Sequence, residues 1–104
     1  MNPSRNPVES LDDQASVFSA LGDPTRLAVI EILRDGTTCV CELVPMLGIP
    51  QTLLSYHLRI LREAGLVTGQ RSGRRIEYAL EPERLEQAQR ALAGFLPSFG
   101  GVPA

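Results

Sequence analysis

Two sets of side chains in this sequence can do chemistry. The first is Cys39 and Cys41, two soft sulfurs separated by one valine. Thiolates select soft or thiophilic ions, and two per chain are too few for the four-ligand site of structural zinc. They suffice for trivalent arsenic or antimony if a hydroxide or another ligand completes the set. Sensing of oxidants or sulfide, or service as small buried core residues, uses the same side chains. The second set is Gln51, Thr52, Ser55, Tyr56, His57, Arg59 and Arg62, followed by Arg71, Arg74 and Arg75. These groups hydrogen-bond or carry positive charge. They suit the paired donors and acceptors of base edges and the phosphates beside them. His57 is equally open to a hydrogen bond within the fold.

The second set needs a rigid support. Leu54, Leu58 and Leu61 recur at helical spacing, so a helix is expected from about Gln51 to Ala64, with Gly65 as its stop. Most of the polar set lies off that apolar stripe. Before it, Gly48-Ile49-Pro50 is a tight turn, and a short helix from about Cys39 to Leu47 precedes the turn, with Thr37 or Thr38 as its cap. Pro45 keeps that helix short or bent. Two short helices joined this way form a helix-turn-helix whose second helix reads DNA. Pro50 has no acceptor side chain where a cap is normally found. After Gly65 the apolar period changes to two. Leu66 to Arg71 and Arg75 to Leu80 are expected strands, with Ser72-Gly73 as the hairpin turn. An arginine-tipped hairpin directly after a reading helix acts as a wing on neighbouring phosphates. A solvated hairpin with charges that discourage edge pairing has the same composition.

Helices are also expected from about Leu11 to Leu21, capped by Ser10, and from Asp23-Pro24 to Arg34, with Leu27, Ile30 and Leu33 or Val29 inward. A last helix runs from about Pro82 to Leu96. Its stripe of Leu85, Leu92 and Phe95, with Leu11 and Phe18 of the first helix, exceeds what a small core can cover. A two-fold dimer through the first and last helices is the expected outlet. Residues 1–9 read as a mobile arm, 10–99 as one domain and 100–104 as a tail. The fold class is thus α+β, mainly α: a winged helix-turn-helix of about five helices and a two-stranded hairpin.

Composition bounds the function. The net charge of −2 excludes a protein that coats nucleic acid by charge alone. Between Gln51 and Tyr78, however, five arginines face two glutamates, leaving a local +3. No apolar run is long enough to span a membrane, and the N-terminus lacks the core of a signal peptide. A cytoplasmic protein with reduced thiols is expected, so the cysteines are ligands or redox sensors rather than a structural disulfide. One histidine, no defensible Ser/His/Asp set and no phosphate loop argue against an enzyme. A small thiol oxidoreductase or metal chaperone would use Cys-x-Cys, but no Cys-x-x-Cys sits in a βαβ context and the arginine hairpin would be purposeless.

Four motifs in order resemble the ArsR/SmtB family of metal-sensing winged-helix repressors, over roughly residues 11 to 96. They are Leu21-Gly22-Asp23-Pro24-Thr25-Arg26-Leu27, Cys39-Val40-Cys41-Glu42-Leu43, the segment from Ser55 to Val67, and Gly73-Arg74-Arg75-Ile76-Glu77-Tyr78. The resemblance implies a homodimer on a palindromic operator, with no obligatory cofactor. It also implies that Cys39 and Cys41 are the inducer site, with As(III) or Sb(III) as inducer. The arsenic-responsive members often carry a third cysteine where this chain has Val44. The family's alternative site on the closing helix needs histidines, and the only histidine here is His57. On a regular helix, residues i and i+2 lie about 200° apart. An ion held by both sulfurs is therefore expected to distort the start of the third helix and shift the reader.

Overall fold

The computed structural model describes Val8 and residues 11–97. The N-terminal arm apart from Val8, the tail and the expected cap Ser10 lie outside the described residues. Helix α1 runs Asp12–Leu21 and α2 runs Pro24–Arg34. A two-residue strand β1, Thr38–Cys39, leads into α3, Val40–Leu47. Helix α4 is Gln51–Glu63, strands β2 and β3 are Val67–Ser72 and Arg75–Leu80, and α5 is Pro82–Gly94.

Local chemistry accounts for these boundaries. Asp12 and Asp13 occupy the first turn of α1, where the helix dipole favours negative charge. Asp23 caps α2 by accepting the Arg26 backbone N–H at 3.1 Å, and Pro24 takes the first helical position. Helix α3 closes on Gly48 with φ 66°, a left-handed residue that turns the chain into α4. At Gly65 two constraints coincide. Its φ is +79°, and a Cβ there would lie 2.7 Å from Nε of Arg84. The same Arg84 donates from Nη1 to Asp13 Oδ2 at 2.8 Å, tying α5 to α1.

Val17, Ala20, Val29, Leu33, Leu43, Leu54, Leu58, Leu61, Leu66, Val67, Tyr78 and Ala88 form one core. The helical stripe of α4 is therefore the expected one. In α2, Val29 and Leu33 are buried and Ile30 packs beside them as expected, and Leu27, 49% exposed, departs from its expected inward place.

Three expectations for the middle of the chain are corrected. The third helix begins at Val40, not Cys39, because Cys39 is its extended N-cap residue, with φ −85° and ψ 155°. Thr38 and Cys39 instead pair with Tyr78 and Glu77 of β3. Among the described residues β1 thus adds a third antiparallel strand to the expected two-stranded hairpin, in the order β1-β3-β2. The wing turn is also one residue later than expected. Ser72 pairs with Arg75, leaving Gly73-Arg74 as the two-residue loop.

Candidate nucleic-acid interface and its cysteine pair

Gln51, Thr52, Ser55, Tyr56, Arg59 and Arg62 are all exposed along α4, while Leu54, Leu58 and Leu61 fix the opposite face to the core. The Arg59 guanidinium lies 6.0 Å from the Tyr56 ring centroid, a cation–π distance that orients it along the outer face. Arg71, Arg74 and Arg75 are exposed on the hairpin. Arg75 is engaged by Glu42 at 3.6 Å and Glu77 at 3.7 Å, so of the three it is the one held back against the protein. Between reader and wing lies a groove of about 430 Å³. Gln51, Ser55, Arg59 and Arg62 line one side, and Arg74, Arg75 and Ile76 the other. Cys39 and Cys41 line it as well, and no carboxylate does.

His57 departs from its expected place among the base-contacting residues. It is buried on the inner face of α4, only 7% exposed. Arg26 Nη1 lies 3.0 Å from His57 Nδ1, which makes Nδ1 the acceptor in this contact. The same guanidinium donates from Nε to the Ala20 carbonyl at 2.7 Å and from Nη2 to that of Ser19 at 3.4 Å. These carbonyls belong to the last turn of α1, where intrahelical partners run out. One arginine therefore joins the end of α1, the start of α2 and the inner face of the reader. Asp23 Oδ2 stands 3.9 Å from His57 Nδ1. Its carboxyl titrates below the usual value of 3.8, chiefly because the Arg26 backbone N–H donates to it, with the Arg26 charge assisting against a small burial cost. Sequence reasoning missed Arg26. Its signal was its place in the Leu21-Gly22-Asp23-Pro24-Thr25-Arg26-Leu27 motif, to which no contact had been assigned.

Cys39 and Cys41 are joined as a disulfide, where reduced thiols are expected. The extended backbone at Cys39 explains their approach. With Cys39 outside the helix, the two Cα atoms are 5.2 Å apart and both sulfurs turn the same way. The 200° separation of a regular helix does not apply, so no helix distortion is needed to bring the sulfurs together. Cys39 is buried and Cys41 exposed. The Cys39 N–H donates to Glu42 Oε1 at 3.1 Å, and the Cys39 sulfur faces the Glu42 N–H in a reciprocal cap. Among the described residues no group of three or more His, Cys, Asp or Glu could hold a metal ion. When reduced, the cysteines supply two ligands on one side, which fits a trivalent ion completed from solution.

The family described as "Bacterial regulatory protein, arsR family" matches residues 23–68, from the α2 cap to the first strand of the wing. The HTH-type transcriptional repressor SmtB of Mycobacterium tuberculosis is 46% identical over 83 residues, which is 80% of this chain and 62% of that protein. The chain belongs to the ArsR/SmtB family. It spans less than two thirds of the length of that SmtB relative. A solved structure described as a possible transcriptional regulator for arsenical resistance is 34% identical, with a TM-score of 0.71 over 80% of this chain and 83% of its own. A homodimeric winged helix-turn-helix domain from Mycobacterium bovis shares the fold at a TM-score of 0.73, covering 89% of each chain at 24% identity. The family's regulators are not enzymes, and the winged helix-turn-helix expected for this chain is the fold found.

The expected dimer residues divide in this family fold. Leu11, Leu92 and Phe95 are 47%, 59% and 64% exposed. Phe18 and Leu85 are half-buried against the protein's own core. No helix among the described residues is long and apolar enough to cross a membrane.

Proposed function

We propose that this chain is a cytoplasmic transcriptional repressor that binds a palindromic operator as a homodimer and is released when trivalent arsenic or antimony binds Cys39 and Cys41. One observation carries the reading. The cysteine pair, the reader and the wing share a single groove. Chemistry at the sulfurs therefore acts beside Arg59, Arg62 and Arg74, the groups offered to phosphate. Cys39 is also paired with Glu77 of β3, so a displaced sulfur pulls on the wing as well as on α3. The exposed Leu11, Leu92 and Phe95 support the dimer.

The groove's charge favours this inducer class. Arg75 is paired with Glu42 and Glu77, but Arg59, Arg62 and Arg74 line the groove with no carboxylate among the lining residues. A divalent cation entering there meets repulsion, whereas trivalent arsenic arrives as an uncharged hydroxide. A second reading, a thiol switch responding to oxidants or sulfide, is favoured by the disulfide itself. One experiment separates them. The protein, bound to its operator with thiols reduced, is titrated in turn with arsenite, zinc, cadmium and peroxide. Release by arsenite alone, lost in the Cys39→Ser, Cys41→Ser double variant, is expected. Release by peroxide alone supports the second reading, and release by arsenite unchanged in the double variant removes the cysteines from the mechanism.

A further inference from the structure

We propose that the arginine-lined groove is a binding site for a low-molecular-weight thiol bearing carboxylates, positioned to exchange with the Cys39–Cys41 disulfide at Cys41. The site rests on the redox reading of the pair given above. Three observations converge on it. Both cysteines border the groove, but Cys41 is exposed and Cys39 buried, so an incoming thiolate meets Cys41 first. Four guanidinium groups line the same groove; Arg75 is paired with Glu42 and Glu77, which leaves those of Arg59, Arg62 and Arg74 to meet an anion. Its volume of about 430 Å³ is large enough for a molecule of small-peptide size.

The exchange balances without a further oxidant. The incoming thiolate attacks Sγ of Cys41, a sulfur–sulfur bond forms between them, and the Cys39–Cys41 bond breaks. The electron pair leaves on Cys39 as a thiolate; the incoming sulfur is oxidised and Cys39 reduced. The leaving thiolate sits at the N-cap of α3, facing the Glu42 N–H. That position stabilises negative charge on sulfur. An occupied groove also places carboxylates where DNA phosphates would lie, so thiol and operator compete for Arg59, Arg62 and Arg74.

The test uses the oxidised full-length protein without DNA. It is mixed at matched thiolate concentration with mercaptosuccinate, 2-mercaptoethanol or cysteamine, which are anionic, neutral and cationic. The rate of disulfide opening is followed and the adduct located by peptide mass spectrometry after acid quenching. Mercaptosuccinate is expected to react about tenfold or more faster than cysteamine at low ionic strength, with the ratio narrowing in salt. The adduct is expected on Cys41. The ratio is expected to fall toward one in the Arg59→Gln, Arg74→Gln variant. Equal rates for the three thiols, a ratio unchanged in the variant, or an adduct on Cys39 would overturn the site. Operator affinity of the thiolated protein is measured separately. If it is unchanged, the repressor switch fails while the exchange site stands.

Discussion

At the scale of single residues, the most informative group is Arg26 with Asp23 and His57. His57→Ala removes the buried partner of the Arg26 guanidinium, and is expected to lower stability by about 1–3 kcal/mol in urea unfolding. The loss should exceed that of Thr52→Ala on the exposed face. Asp23 gives a pH dependence of defined sign. Its carboxyl titrates lower in the folded chain than its ordinary 3.8. The stabilisation is therefore fully present above the unfolded-state value and is lost as pH falls through the folded-state value. Stability of Asp23→Asn followed from pH 6 downward should fall less steeply below about pH 4 than wild type; parallel curves would contradict the assigned cause. Gly65→Ala combines a left-handed backbone with the Arg84 guanidinium overhead. A loss of at least about 1 kcal/mol is expected.

At the scale of elements, the reading helix was legible because its stripe of Leu54, Leu58 and Leu61 repeats cleanly and its stop is a glycine. The inward place of His57 had a signal, three residues after Leu54 and four before Leu61, but its polarity hid it; the partner that satisfies it, Arg26, lies 31 residues earlier. Strand β1 was invisible for another reason. Two residues cannot display alternation, and Thr38 and Cys39 are strand only because Tyr78 and Glu77 lie beside them. Missing that strand led to the idea of two sulfurs on opposite faces of a helix. The wing makes its own prediction. Arg74→Ala should weaken operator binding similarly across sequences and reduce the salt dependence by about one phosphate contact. Arg75→Ala should do less to the salt slope, because Glu42 and Glu77 already engage it. Anisotropy titrations at several salt concentrations distinguish the two.

At the scale of the whole molecule, a fold of this size leaves Leu92, Phe95 and Leu96 exposed at the end of α5. Apolar content at the two ends of the sequence announced a partner surface. It could not show that Phe18 and Leu85 would be half-used by the chain's own core. Leu92→Glu with Phe95→Glu is expected to give a monomer in sedimentation with little loss of helix content. Operator affinity should drop sharply, because two readers no longer engage half-sites about 34–36 Å apart together. Within one protomer the groove joins reader, wing and sulfurs, so a change at the sulfurs has a short path to DNA. The measurement closest to that link is the operator Kd of the fully reduced protein with and without arsenite. Weakening of about 5–150-fold, matching a coupling of about 1–3 kcal/mol, is expected for wild type and absent in Cys39→Ser with Cys41→Ser. An arsenite-loaded wild type that holds its operator with an unchanged Kd would contradict it.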